Sequence, residues 1–158
     1  MSDEMKMERA KKVYNTLCTA IDKRDWTYDR EDEDLIVRFN VSGEDIPMSF
    51  ILIVDADRQL VRLLSPIPFN MGEDKRMEGA IATCVASYGF INGSFDYDLE
   101  DGSIVFRLTQ SFRGSDVNEE VLQYMISLSC SVVDNYNDRF MALNKGLLSI
   151  TDFIAKEG

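Results

Sequence analysis

The chain has 158 residues, of which 45% are hydrophobic and 28% charged, and its formal net charge is −11 at pH 7. This length and balance fit one folded domain over residues 1–158 and exclude a disordered chain. The negative charge excludes nucleic acid and anionic membrane surfaces as direct ligands, because both require a positive protein surface.

The first predicted element is an amphipathic helix over residues 5–22. Its apolar residues recur at intervals of three and four, which is the spacing of one helical face. They are Ala10, Val13, Tyr14, Leu17 and Ile21. A short strand over residues 25–28 and a solvated acidic turn over residues 30–34 are predicted to follow.

Three further strands are predicted over residues 35–41, 48–54 and 60–64. Their connections are short and polar, which favours an antiparallel meander. The middle strand is apolar on both sides, as is typical of a central strand, because Ile51 and Ile53 alternate with equally apolar neighbours. Pro66 and Pro68 are predicted to end the meander, since proline has no amide hydrogen to donate to a sheet.

A second helix is predicted over residues 73–88, with Gly89 as its C-cap. Its apolar row consists of Met77, Ile81, Cys84, Val85 and Tyr88, and small residues flank that row at positions 79, 80, 82 and 86. One hypothesis is a symmetric dimer in which a surface patch of small residues lets the same helix of a second copy approach. Its interface would comprise Met77, Ile81, Ala82, Val85 and Ala86. The alternative is that the whole row belongs to the core of one chain.

Two strands are predicted over residues 95–99 and 104–112, joined by a turn with Gly102 at the position that needs a positive φ. Asp116 is the predicted N-cap of a long last helix, because Glu119 follows it at capping-box spacing. Apolar residues continue at helical spacing as far as Ile154. Asn135, Asn137 and Gly146 are candidate positions for a kink or break.

The candidates for chemistry are few, because the chain contains no histidine. This excludes Ser-His and Cys-His nucleophile systems and every histidine metal site. Asp96, Asp98 and Glu100 alternate along a predicted strand, which indicates either a weak metal site of a metal-dependent enzyme or a solvated strand face. The spacing does not match a calcium loop, because position twelve falls on Arg107. We predict no catalytic residue, no cofactor and no metal.

The three cysteines, Cys18, Cys84 and Cys130, are predicted to be buried free thiols, because each lies in an apolar-periodic segment and no metal-ligand spacing joins them. The sequence has neither a run of about 18 apolar residues nor a secretory signal at its start. We therefore expect a cytoplasmic protein.

The order of elements and several motifs resemble the YbjN-type bacterial proteins, which are labelled sensory-transduction regulators, and through them the type III secretion chaperone-like fold. The resemblance covers about residues 19–152. It rests on the run FDYDLEDGSIVFR at residues 95–107, on PIP at residues 66–68, and on DNY at residues 134–136 with Phe140 and Gly146.

The resemblance implies an α+β fold of order α-β-β-β-β-α-β-β-α, with helices on one face of an antiparallel sheet and a tendency to form homodimers. A sheet covered on one side has little reason to keep Ile51, Ile53, Val61 and Leu63 on the other unless a partner packs there. We therefore expect a non-enzymatic protein-binding module, either chaperone-like or a regulatory adaptor. Small-ligand sensing is the alternative. The net charge favours a basic or weakly structured polypeptide as partner, although acidity that only maintains solubility would explain it equally well.

Overall fold

The computed structural model describes residues 1–157. Within this range the chain forms four α-helices, six strands and one 3-10 turn, Glu73–Lys75. In chain order they are α1 (Asp3–Asp22), β1 (Asp29–Glu31), β2 (Ile36–Val41), β3 (Met48–Asp55), β4 (Leu60–Pro66), α2 (Arg76–Tyr88), β5 (Ser94–Tyr97), β6 (Ile104–Ser111), α3 (Glu119–Asn144) and α4 (Ile150–Glu157). The predicted order of elements is confirmed, with one additional short helix at the end.

The six strands form one antiparallel sheet in the order β1-β2-β3-β4-β6-β5, and the helices pack on one of its faces. This confirms the predicted α+β class. Strand β3 lies inside the sheet, as its two apolar sides predicted. Alternate residues of β3 and β4, such as Leu52, Val54, Val61 and Leu63, are buried beneath the helices.

Helix α1 confirms its prediction, because all five residues of its apolar face are buried. The Ser2 side chain caps its first turn by accepting a hydrogen bond from the Met5 amide at 3.2 Å. Burial of this face against the sheet and α3 stabilises the helix far more than its intrinsic propensity does.

The first strand lies at residues 29–31 rather than at the predicted residues 25–28. Asp25 has a φ of 58°, which turns the chain away from α1, and the Trp26 ring then packs on Phe39 with 5.4 Å between centroids. Strand β1 is fully exposed and pairs with β2 through the backbone, for example Arg30 with Val37. The acidic residues of this segment predicted a turn instead of a strand. An edge strand with exposed side chains lacks the apolar alternation by which most strands are predicted.

Strand β4 ends at Pro66, so the prediction that the prolines end the meander is confirmed, although the strand extends two residues beyond its predicted end at residue 64. Pro66 lies opposite Val105, and the next residue, Ile67, donates its amide hydrogen to the Ile104 carbonyl at 2.9 Å. Backbone groups alternate in direction along a strand. The missing amide hydrogen of Pro66 therefore faces away from β6, beyond the last β3–β4 pair.

Helix α3 begins at Glu119 and is capped by Asn118, whose side chain accepts from the Val121 amide at 2.9 Å. The prediction of Asp116 as the cap is wrong, since Asp116 forms an exposed ion pair with Lys12 at 3.2 Å. Val117 is buried directly before the cap, and this anchoring residue sets where the helix starts.

Of the three candidate break positions in the last predicted helix, the break occurs at Gly146, which has a φ of 75°. The Leu147 amide donates to the Ala142 carbonyl at 2.8 Å, as in a Schellman motif, and α4 follows. Asn135 and Asn137 lie within the continuous helix. The buried Asn137 side chain donates to the Ile46 carbonyl at 3.4 Å, so it stabilises a tertiary contact instead of a kink.

Candidate functional site

The face of the sheet opposite the helices keeps an apolar centre. Its aliphatic residues are only partly buried, and arginines stand among them. We call this surface the open face; it comprises Ile36, Ile51, Ile53, Leu60, Leu64 and Val105 with Arg38, Arg62 and Arg107. A solvated face of an antiparallel sheet is ordinarily polar, so these aliphatic residues distinguish the open face from an ordinary surface.

The strand register confirms the predicted face for two of the four partner-binding residues and corrects it for the other two. Ile51 and Ile53 lie on the open face, where they oppose Leu64 and Arg62. Val61 and Leu63 are fully buried on the helix-covered face, so their assignment was wrong. Asp55 pairs with Leu60 next to the hairpin turn, so the odd-numbered residues of β3 lie on the same face as the even-numbered residues of β4. In the sequence of β4, only Arg62 signals this register, because Leu60 and Leu64 on the same face are as apolar as Val61 and Leu63.

A cavity of about 360 Å³ lies on the open face near the β3–β4 hairpin, and no acidic side chain lines it. Its lining residues are Arg58, Leu60, Arg62, Arg107 and Thr109. Arg58 pairs with Asp55 at 3.0 Å and Arg107 with Asp96 at 3.0 Å. Within residues 1–157, Arg62 has neither an ion pair nor a side-chain hydrogen bond. Sequence reasoning missed this cluster, because Arg58 lies in the hairpin turn, Arg62 in β4 and Arg107 in the distant β6.

The two most exposed large apolar residues in the helices and strands of residues 1–157, Tyr88 and Met77, lie on α2. Met77, Ile81 and Tyr88 are 67%, 42% and 93% exposed, Cys84 is exposed, and Val85 is partly buried. We call these five residues the α2 row. The alternative that the whole row belongs to the core is therefore wrong.

Ala82 and Ala86, which were predicted to form a surface patch, are 0% exposed on the opposite side of α2. Small residues are needed there because α2 approaches β5 closely. A β-carbon added at Gly79 would lie 2.6 Å from the Tyr97 hydroxyl. That hydroxyl donates to the Arg76 carbonyl at 2.7 Å and fixes the helix on the strand. The small residues therefore serve packing within the chain, and the larger apolar residues face outward.

The three alternating carboxylates do not share one strand face. Strand β5 ends at Tyr97, so only Asp96 belongs to it, and Asp96 pairs with Arg107. The Asp98 side chain accepts from the Glu100 amide at 2.9 Å and so shapes the turn. In the described part of the chain, no group of three or more acidic or cysteine side chains is placed to hold a metal ion.

Of the three cysteines that were predicted to be buried free thiols, one is buried, one is partly buried and one is exposed. Cys18 is buried, Cys130 is partly buried, and Cys84 is exposed on the α2 row. Burial raises the pKa of the Cys18 thiol and raises that of Cys130 to about 11, which suppresses their thiolate forms.

A second cavity, of about 540 Å³, lies between α1 and the segment around β1, where Tyr14, Arg30, Asp32 and Leu35 line it. The Tyr14 hydroxyl donates to Asp32 Oδ1 at 2.9 Å, and Arg30 Nε donates to the same oxygen at 2.9 Å. Burial, together with the bond to Asp32, raises the pKa of Tyr14 to about 12. Leu35 has a φ of 56°, an unusual conformation for a bulky residue.

A sequence model of the YbjN family, described as "putative bacterial sensory transduction regulator", matches residues 14–142. This range contains the whole sheet, the open face and the α2 row. No curated protein matches the chain. Among residues 1–157, no helix has the length and apolar character that crossing a bilayer requires.

Proposed function

This chain belongs to the YbjN family, and we propose that it is a non-enzymatic regulatory module that binds another polypeptide and works as a homodimer. The family description as a regulator supports a role in control rather than catalysis. The partner binds on the open face, and the second copy binds through α2.

The observation that carries the proposal is the apolar centre of the open face. Six aliphatic side chains from four neighbouring strands stay partly exposed there. Each square ångström of apolar surface removed from water contributes about 25 cal/mol. A complex in which a partner covers these side chains is therefore stabilised, because apolar surface that contacts water in the isolated chain becomes buried. The buried centre of a protein interface is also more apolar than the rest of the surface, and arginine is enriched in interfaces.

Dimerisation is supported by the α2 row. Met77 and Ile81 stand one turn apart on an exposed helix face, with Val85 one turn further on. A two-fold axis near the middle of this row would bury the same residues of both copies against each other, as in an isologous interface. The interface proposed here keeps Met77, Ile81 and Val85 and omits the two buried alanines.

Comparative capture from a bacterial lysate, quantified by mass spectrometry, tests the partner-binding role. The baits are the unmodified chain, an Ile51→Ser/Ile53→Ser variant of the open face, and Ile154→Ser as a matched control. Ile154 is an exposed aliphatic residue of α4, away from the open face. We expect one polypeptide to be recovered by the unmodified chain and the control and lost with the double variant.

Recovery of no polypeptide under native conditions would contradict the protein-binding role. Equal recovery by all three baits would reject the open face as its location. Circular dichroism of each bait verifies that a lost partner does not reflect a lost fold.

Small-ligand sensing is the second candidate function, and the cavity beside Tyr14 favours it. Leu35 combines burial with an unusual backbone conformation at the wall of that cavity, and such conformations cluster at ligand sites. A thermal-shift screen of metabolites tests this candidate. A ligand for this cavity should raise the melting temperature of the unmodified chain but not that of Asn15→Trp, which fills a lining position.

A further inference from the structure

The open face carries a concentration of positive charge that the composition of the chain conceals. Around the cavity of about 360 Å³ stand Arg58, Arg62 and Arg107, and the Arg113 side chain donates to the Arg58 carbonyl at 3.4 Å. Within residues 1–157, neither Arg62 nor Arg113 forms an ion pair. Unpaired arginines at one place are unexpected in a chain of net charge −11.

The register places two of these arginines side by side. Arg58 and Arg107 each pair with an aspartate, Asp55 and Asp96, so Arg62 is the cavity arginine that is left without a carboxylate among residues 1–157. Arg62 opposes Thr109, and Arg107 opposes Leu64, so the two arginines are diagonal neighbours on the same face of adjacent strands. Diagonal neighbours are about 7–8 Å apart, within reach of long side chains, and like charges there repel. The field of Arg62 also reaches Asp55. Although burial works to raise it, hydrogen bonds from Arg58 and the charge of Arg62 hold the pKa of Asp55 below its usual range.

We propose that the open face binds a polypeptide segment that carries acidic side chains beside aliphatic ones, with a carboxylate in the cavity between Arg58, Arg62 and Arg107. This inference rests on the protein-binding function proposed above and specifies the chemistry of the partner. A guanidinium binds a carboxylate through two parallel hydrogen bonds, which adds geometric specificity.

The surroundings of the cavity favour a polypeptide over a free anion. Leu60 lines the cavity, and Ile53 opposes Arg62 on the next strand. A free phosphate would neutralise the arginines but leave these aliphatic side chains in contact with water. A segment with alternating acidic and aliphatic residues satisfies both, because Leu60, Arg62 and Leu64 alternate in the same way along β4 on the open face.

The local charge and the net charge act at different distances. The net charge of −11 favours approach of a partner that is basic overall. Within a Debye length of about 8 Å at physiological salt, however, the nearest charges dominate. The segment that contacts the cavity is therefore acidic even when the rest of its protein is basic.

The test is selection of a phage-displayed random peptide library on the full chain, followed by fluorescence polarisation with the enriched peptides. We expect peptides rich in aspartate or glutamate beside aliphatic residues. Their affinity should fall at least tenfold in Arg62→Gln and in Arg107→Gln, and it should fall with added salt. Lys12→Gln removes the same charge from an exposed site on α1 and should leave the affinity unchanged.

Each other outcome overturns the inference. Enriched peptides that lack acidic residues, or that bind Arg62→Gln as tightly as the unmodified chain, would reject the arginine cavity while leaving protein binding in place. If inorganic phosphate alone stabilised the chain and no peptide were enriched, the arginine cavity would be a small-anion site instead. Failure of both this selection and the lysate capture would remove the protein-binding function itself. Two independent arginine variants guard against one of them failing to fold, which circular dichroism detects.

Discussion

Glutamate placed at two successive positions of α2 should have opposite consequences, because the helix turns one position toward the sheet and the next toward solvent. Ala82 is fully buried, and Ile81 is 42% exposed. We predict that Ala82→Glu unfolds or strongly destabilises the chain. We predict that Ile81→Glu leaves the chain folded and separates the proposed dimer.

The magnitude at Ala82 follows from burying a carboxyl group without a partner. Full burial raises a carboxyl pKa by up to 3–5 units, so the buried glutamate is largely protonated at pH 7. Protonating a carboxyl of ordinary pKa, about 4.3, at pH 7 costs about 1.36 kcal/mol per unit of that interval, or about 4 kcal/mol. Overpacking adds about 1–3 kcal/mol. Small domains are stable by only about 5–15 kcal/mol, so Ala82→Glu removes most of the stability.

The magnitude at Ile81 is smaller because the added charge stays in water. Surface substitutions away from special features change stability by about 0.5 kcal/mol or less. In a symmetric dimer, however, the two glutamates near the axis repel each other. The apolar contacts that Ile81 makes across the proposed interface are also lost. Ile81→Glu should therefore be a folded monomer.

Urea denaturation followed by circular dichroism measures both free energies of unfolding, and light scattering measures the mass. Ile81→Gln is the matched control for charge, since it removes the same apolar side chain without adding a negative group. An Ala82→Glu variant within about 1 kcal/mol of the unmodified chain would refute the assigned face of α2. The same conclusion would follow if Ile81→Glu unfolded and Ala82→Glu did not.

Three further substitutions test the local structure. Asn118→Ala removes the α3 cap and should lower the free energy of unfolding by about 1 kcal/mol, measured in urea; no change would contradict the assigned cap. Gly102→Ala should cost more than about 1 kcal/mol, because its φ of 75° strains other residues and its β-carbon would lie 2.3 Å from the Met71 carbonyl oxygen; an unchanged melting temperature would contradict that geometry. The pKa of Tyr14, raised to about 12, means that its neutral hydroxyl is favoured in the fold. This contribution to stability is complete below pH 10 and is lost as the pH rises through about 12. Tyr14→Phe should therefore lose less stability than the unmodified chain over that interval, and an identical decline in urea midpoints would contradict the prediction.

The predictable part of the fold is the part in which burial and periodicity coincide. The apolar residues of α1 recur at helical spacing and are all buried, and the apolar run of β3 predicts the central strand that the structure shows. Gly146 was a candidate helix end, and it is where α3 stops. In each case one local pattern has one structural solution.

The parts that failed depend on contacts between distant segments. Strand β1 has three exposed residues and exists only because β2 offers backbone partners. The buried face of α2 is made of small residues because β5 lies close to it, so the larger apolar side chains face outward. Hydrophobicity alone suggested the reverse, since it ranks Met77 and Ile81 above Ala82.

The candidate site shows the same division. Ile51 and Ile53 were placed on the second face of the sheet, and the register confirms that position. Val61 and Leu63 were misplaced, because β4 carries apolar residues on both faces and one residue of register exchanges its two faces. The arginine cavity had no sequence signal, since Arg58, Arg62 and Arg107 meet only through the pairing of β4 with β6.

Site-specific photocrosslinking in living bacteria tests most directly the claim that the open face binds a polypeptide. A benzophenone amino acid replaces Thr109, which is exposed beside Arg62 on the open face, or Thr19, which is exposed on α1. The proposed function predicts a crosslinked polypeptide from position 109 that is absent from position 19 and disappears with Ile51→Ser/Ile53→Ser. No crosslink from position 109, or the same crosslinked polypeptide from both positions, would contradict it.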